Sequence, residues 1–179
     1  MKVEQTPIED LLVITPNTFE DDRGYFFESY SEASFAKNGI NLKFIQDNQS
    51  FSKHGVIRGL HFQAAPYAQA KLVRVLHGEI LDVAVDIRKD SKTFGQHFSI
   101  VLSSENKKQL LVPKGFAHGF SVLSETAMVS YKVDEVYNKE SESGIRYDDP
   151  FLAIDWKIDA SKIIISEKDV VLGTINYLD

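Results

Sequence analysis

The sequence predicts an all-β chain built as a sandwich or barrel of short strands. One observation is a run of segments rich in β-branched and aromatic residues: Lys71–Leu76, Ile80–Ile87, Phe98–Leu102, Gln109–Pro113, Gly119–Leu123 and Ala127–Val133. The second is the punctuation between them, which is turn chemistry throughout: His77-Gly78, Lys89-Asp90-Ser91, Ser103-Ser104-Glu105-Asn106, Pro113-Lys114-Gly115 and Ser124-Glu125. Short strands at such spacing are the mark of sandwiches and barrels. The third is the scarcity of helix signals. Ser31 to Lys37 begins on a capping residue and stops before Asn38-Gly39, as a short helix does.

The remaining elements follow in order. The prolines and glycines are scattered, and no Ser/Gly/Pro-rich stretch divides the chain, so residues 1–179 are expected to form one domain. There is no solenoid repeat and no low-complexity tract. From about Lys157 the chain is expected to add a short helix or an extra strand. A hydrophobic content of 43% with 26% charged residues is close to the globular average and argues against a disordered chain.

Alternation assigns side chains to faces. In Ala127–Val133, the residues Val129, Tyr131 and Val133 share an apolar face, which points Tyr131 into the barrel, where its hydroxyl needs a partner. Lys71 shares a face with Val73 and Val75 and is expected inside as well. Leu81, Val83 and Val85 share one face of their strand, and Asp82 and Asp86 the other. Strict alternation separates Arg58 from His61; a bulge at Gly59 would bring both toward one site.

Charge and composition exclude several classes. With 20 Lys+Arg against 26 Asp+Glu the net charge is −6, and no basic run suggests a nucleic-acid face. No stretch approaches the roughly 20 apolar residues of a membrane helix. Met1-Lys2-Val3-Glu4-Gln5 has no apolar signal region, and the cytoplasm is the expected compartment. The absence of cysteine removes disulfides, thiolate nucleophiles and iron–sulfur clusters. One local departure stands out. Asn48 to Gly78 contains no Asp or Glu but holds Lys53, Arg58, Lys71 and Arg74 with His54, His61 and His77. Such a segment suits a small anionic ligand, although a chance gap in the acids reads the same way.

Pro113-Lys114-Gly115-Phe116-Ala117-His118 has the form P-x-G-x-x-H before a strand and resembles the second motif of the cupins, double-stranded β-helix (jelly-roll) barrels. Metal-binding cupins add an H-x-H pair and a Glu, which this chain lacks between His61 and Gly78. At most two histidines would be left as ligands, fewer than the three protein ligands of a catalytic zinc site, so no metal is expected.

A longer stretch is more specific: Arg58-Gly59-Leu60-His61-Phe62-Gln63, then Pro66, Gln69 and Lys71-Leu72-Val73-Arg74-Val75. With it go Phe19, Asp22-Arg23-Gly24, Phe26-Phe27-Glu28 and Gln46-Asp47-Asn48 upstream. Downstream are Gly78-Glu79, Asp82 to Arg88, Pro113 to Phe120, Tyr131-Lys132, Gly144 to Pro150, Trp156 and Ser166-Glu167-Lys168-Asp169. In this order, from roughly Ile14 to Asp169, they resemble the dTDP-4-dehydrorhamnose 3,5-epimerase family. The resemblance implies a cupin-type jelly-roll barrel with a few short peripheral helices and a dTDP-4-keto-6-deoxy sugar as substrate. No cofactor is implied. The ketone acidifies the protons on C3 and C5, so inversion needs a base on one face, an acid on the other and a donor for the enolate oxygen.

The residues supply such a set. His61, with an unperturbed pKa of about 6.5, suits the base; the resemblance pairs it with Asp169, which would fix the tautomer and stabilise the imidazolium. Tyr131, with a phenol pKa of about 10, would arrive protonated as the acid. Lys71 and His118 are candidates for the enolate oxygen or the sugar, with Asp82 orienting one of them. Arg58 and Arg23 match a pyrophosphate. Phe19, Phe26 and Tyr137 would wall the thymine, and Glu28, Gln46 and Asn48 would hydrogen-bond base or sugar. The resemblance also implies a homodimer in which residues near Phe19, Arg23 and Glu28 enter the partner's site; the plainer reading of Phe26-Phe27 is ordinary core. Other readings stay open: an epimerase inverting C3 alone or acting on another nucleotide sugar, a sugar 3,4-ketoisomerase, or a non-catalytic sugar-binding cupin.

Overall fold

The computed structural model describes residues 1–178, and these build two facing β-sheets. In chain order the strands are β1 (Lys2–Gln5), β2 (Leu12–Thr15), β3 (Phe19–Asp21), β4 (Gly24–Phe26), β5 (Gln46–Lys53), β6 (Ile57–Gln63) and β7 (Lys71–His77). Then come β8 (Glu79–Asp86), β9 (His97–Ser103), β10 (Gln109–Val112), β11 (Phe116–Val122), β12 (Thr126–Val133) and β13 (Glu142–Gly144). A six-stranded sheet has the order β1-β2-β10-β7-β12-β5, a five-stranded sheet the order β13-β6-β11-β8-β9, and β3 and β4 form a separate hairpin. This is the jelly-roll barrel that the cupin-like motif implies.

The interior lies between the sheets. Val73, Val75, Leu110, Ala127 and Val129 from the first meet Ile80, Ala84, Leu102, Phe120 and Val122 from the second in one buried cluster. The faces follow the alternation. Tyr131 packs against this interior cluster. On β8, Ile80 and Ala84 face inward, whereas Leu81, Val83 and Val85 face outward beneath Ile145, Leu152, Trp156 and Ile175. An apolar pattern on both faces is what a strand covered on both sides needs.

The helix α1 (Glu32–Lys37) starts where expected: the Ser31 hydroxyl accepts from the Ser34 N–H at 3.3 Å. Phe35 anchors α1 against the outer face of the six-stranded sheet through Ile14, Leu72 and Leu111. Of the short helix or extra strand expected from about Lys157, the helix is present and the strand is reduced to isolated bridges. After a 3₁₀ turn (Ala160–Lys162), Ile164 bridges in parallel to Val56, and a one-turn helix α2 (Glu167–Val170) follows, capped by Ser166. Strands β1 to β5 and β13 were not expected. Nor is the Phe26-Phe27 pair ordinary core, since Phe26 is 70% exposed.

Candidate active site

The site is built where β6 bulges against β11. His61 faces His118 across the ladder and Arg58 faces Phe120, so β6 spends one residue more than β11 over this interval. The extra residue turns Arg58 and His61 onto one face, and both line the same cavity. Gly59 permits this. Its φ is +120°, and a Cβ there would lie 2.6 Å from Gly119 Cα and 2.7 Å from the His118 carbonyl oxygen. The bulge expected at Gly59 is therefore present, and only glycine fits it.

His61 Nε2 lies 2.6 Å from Asp169 Oδ1, although the two are 108 residues apart in the chain. Asp169 is 3% exposed. Burial pushes its pKa up, but the His61 imidazole, the Gly59 N–H and the Ser166 hydroxyl more than offset this and hold the carboxyl below its usual range. The one-turn helix α2 exists to deliver this carboxylate, its cap fixing the turn. Because Asp169 engages Nε2, Nδ1 is the nitrogen left for a substrate.

Tyr131 enters from the opposite sheet, on β12. Burial raises its phenol pKa against the pull of the Arg58 guanidinium, so it stays protonated at neutral pH. Lys71, on β7, donates to the His61 carbonyl oxygen at 3.3 Å. Burial pushes its pKa down to about 8, with Asp82 and Glu142 opposing. His118 Nε2 sits 2.8 Å from Asp82 Oδ1. Asp82 is fully buried behind His118, so it orients the histidine and lines neither lobe of the cleft.

The cleft has two lobes. One, of about 440 Å³, is lined by Ser50, Arg58, His61, Lys71, His118, Tyr131 and the 164–169 segment. The other, of about 340 Å³, is lined by Gln46, Asn48, Gln63, Tyr137 and Glu142, and shares His61, Lys71 and Tyr131 with the first. The three shared residues stand at the junction, and the volumes suit a small ligand rather than a polymer.

The structure thus brings together His61, Asp169, Tyr131, Lys71, Arg58, His118, Gln46, Asn48 and Tyr137. It does not bring Phe19, Arg23, Phe26 and Glu28 into this cleft within one chain. Phe19 and Phe26 lie on the β3–β4 hairpin and, with Glu28, line a separate cavity of about 390 Å³ beside α1. Arg23 pairs with Asp21 at 2.5 Å in solvent, and Glu28 accepts from the Ser34 hydroxyl at 2.6 Å. Phe19 and Phe26 are 67% and 70% exposed.

Two further residues belong to the cleft. Glu142 accepts from the Tyr137 hydroxyl at 2.8 Å and pairs with Lys168 at 2.5 Å. Burial raises the Glu142 pKa, but Lys168 and Tyr137 outweigh it and keep the carboxyl ionised. Lys168 stands in the Ser166–Asp169 motif, which was the available signal. Glu142 lies on a three-residue strand with no periodic pattern, and nothing in the sequence marked it.

A cupin-type barrel that opposes a histidine–carboxylate pair to a half-buried phenol across one cleft is suited to acid–base isomerisation. The family model described as dTDP-4-dehydrorhamnose 3,5-epimerase matches residues 5–176, and the chain belongs to that family. It is 49% identical over 179 residues to the dTDP-4-dehydrorhamnose 3,5-epimerase of Escherichia coli strain K12, covering 99% of this chain and 96% of that one. The crystal structure of the same enzyme from Elizabethkingia anophelis NUHP1 superimposes with a TM-score of 0.95 at 52% identity, over 99% of this chain and 97% of that one. The dTDP-6-deoxy-D-glucose-3,5-epimerase of Legionella pneumophila, solved in complex with dTDP-4-keto-L-rhamnose, gives a TM-score of 0.95 at 47% identity, over 99% and 94% of the two chains.

Proposed function

We propose that this epimerase inverts C3 and C5 of dTDP-4-dehydro-6-deoxy-D-glucose, yielding dTDP-4-dehydro-L-rhamnose in dTDP-L-rhamnose biosynthesis. One observation carries the mechanism: the His61–Asp169 pair and Tyr131 come from opposite sheets and line one cleft. His61 Nδ1 takes the proton from carbon, and the bonding pair moves to the C4 oxygen as an enolate. The Asp169 carboxylate stabilises the imidazolium so formed. Lys71 donates to the enolate oxygen, and His118, held through Nε2 by Asp82, lines the lobe that seats the sugar. Tyr131 then delivers its phenolic proton to the other face of the same carbon, and solvent resets both groups. A second enolisation at the other carbon repeats the cycle.

Arg58 and Lys168 provide the cations for the pyrophosphate, and Gln46, Asn48 and Tyr137 line the lobe that suits the nucleotide. The exposed hairpin bearing Phe19, Arg23 and Phe26, with Glu28 beyond it, is read as reaching the cleft of a partner subunit in a homodimer. Two exposed phenylalanines on one hairpin are unfavourable in a lone subunit, which supports that reading. No helix among the described residues is long and apolar enough to cross a membrane, and we place the enzyme in the cytoplasm.

The test is proton NMR of purified protein with dTDP-4-keto-6-deoxyglucose in deuterated water. Deuterium at both C3 and C5 is the expected result. Label at C3 alone would make the chain a one-centre epimerase, and no exchange at either carbon would overturn the substrate assignment.

A further inference from the structure

Strand β5 presents four polar side chains in alternation toward the barrel interior: Gln46, Asn48, Ser50 and Ser52. Three of them are engaged. Gln46 Nε2 donates to Asn48 Oδ1 at 2.9 Å, and Ser52 Oγ accepts from Arg58 Nε at 2.9 Å. Ser50 differs. Its hydroxyl oxygen is closed to solvent and has no hydrogen-bond partner among the described residues. It nevertheless lines the larger lobe of the cleft with Arg58, His61, Lys71, His118 and Tyr131.

The register places it closely. Ser50 pairs with Val129 on β12, and Asn48 with Tyr131, so Ser50 stands diagonally next to Tyr131 on the same inward face. Its inward neighbours on β12, Ala127 and Val129, are apolar and fully buried. An alanine or valine at position 50 would suit that environment without loss. An unpaired buried hydroxyl is unfavourable in the empty protein, so its partner is expected to come with a ligand. A hydroxyl both donates and accepts, which matches a sugar hydroxyl. The charged groups in the same lobe, Arg58 and Lys168, match phosphate better.

From this we infer that Ser50 is a substrate contact: its Oγ, closed to solvent in the empty cleft, turns about χ1 into the lobe that Ser50 lines, hydrogen-bonds a ring hydroxyl of the bound sugar on the Tyr131 side and sets the register of the reacting carbon between His61 and Tyr131. The inference rests on the proposed reading of the cleft as a nucleotide-sugar site. It does not depend on the reaction.

The test compares Ser50→Ala with the unchanged chain by calorimetric binding of two non-reacting probes, dTDP-D-xylose and dTDP, together with thermal unfolding. Ser50→Ala is expected to bind dTDP-D-xylose about tenfold more weakly, the loss of one hydrogen bond. It should bind dTDP equally well and melt at or above the temperature of the parent. Its kcat/KM on the 4-keto sugar should fall by a similar factor. Equal binding of both probes with a lowered melting temperature would mean that a buried water satisfies Ser50, and would overturn the inference. Equal weakening toward both probes would place Ser50 on the nucleotide diphosphate and overturn it as well. If the parent chain exchanges no proton of the keto sugar but the two probes are still discriminated, the proposed reaction fails and the Ser50 contact stands.

Discussion

Replacing Asp169 by Asn isolates the electrostatic part of the His61 pair. Asparagine keeps the shape and accepts from the Gly59 N–H, which lies 3.4 Å from Asp169 Oδ2, so the bulge and the α2 turn should persist. What disappears is the negative charge facing the imidazolium. With Nε2 and Oδ1 2.6 Å apart, the charge centres are roughly 4 Å apart, and an effective dielectric of about 20 gives an attraction of about 4 kcal/mol. The carboxylate is 3% exposed, so solvent screens it little. If most of this attraction is felt only once His61 has taken the proton, kcat falls by about three orders of magnitude. An amide also permits the opposite tautomer, in which Asn donates to Nε2 and Nδ1 carries the hydrogen, unable to act as base. The assay is kcat for product together with the rate of deuterium entry at C3 and C5, both of which should fall in parallel, with the melting temperature close to that of the parent. A loss of less than tenfold in the entry rate would refute the assignment of His61 as base with Asp169 as its support.

Four further outcomes follow from the same geometry. Tyr131→Phe should leave exchange of the first proton into solvent largely intact while product formation falls by about two to four orders of magnitude; undiminished product would assign the acid elsewhere. Lys71 must be an ammonium to stabilise the enolate in the proposed mechanism, so kcat should decline as pH rises through about 8; a limb only near about 10 would refute the lowering of its pKa by burial, and an unchanged alkaline limb in Lys71→Met would refute its role. The sign for folding is opposite: the Lys71 pKa is lowered in the folded chain, so the unfolded chain binds more protons above about 8, and this group makes stability rise with pH until the unfolded lysine also titrates. Gly59→Ala, forced onto φ +120° with its Cβ 2.6 Å from Gly119 Cα, should lower stability by about 2 kcal/mol or more and disorder the Arg58–His61 alignment; an unchanged melting temperature would show that the bulge relaxes freely.

The parts of the site legible in the sequence are those where local pattern and chemistry agree. Alternation put Tyr131 and Lys71 inside, and a lone glycine between Arg58 and His61 pointed to a bulge. The parts that escaped have physical reasons. Strand β5 has no hydrophobic alternation because its inward residues Gln46, Asn48 and Ser50 line the cleft and Ser52 holds Arg58, in place of core side chains. A functional strand suppresses the hydrophobic alternation by which strands are found. The β8 pattern showed two faces but not which one was interior, since the outward Leu81, Val83 and Val85 are as buried as any core residue. That cover comes from residues 145–175, a segment of few regular elements with no periodicity to read. The Phe19–Glu28 segment carries motif residues that one chain leaves outside the cleft, so their place could not be read from strand alternation, which orders only residues within one sheet.

The layer architecture explains why inversion suits this barrel. His61 and His118 project from the five-stranded sheet, on β6 and β11, while Tyr131 and Lys71 project from the six-stranded sheet, on β12 and β7. Facing sheets stand about 10 Å apart. The His61 imidazole reaches into the cleft from one side and the Tyr131 phenol from the other. On the roles proposed for His61 and Tyr131, a ring lying between them offers one face to the base and the other to the acid, so proton removal and proton return fall on opposite faces of the carbon at the junction. Stereochemical outcome is thereby tied to the two-layer fold, and the carbons inverted depend on how the ring is seated between the layers. That seating is controlled by small contacts on the Tyr131 side, where Ser50 stands.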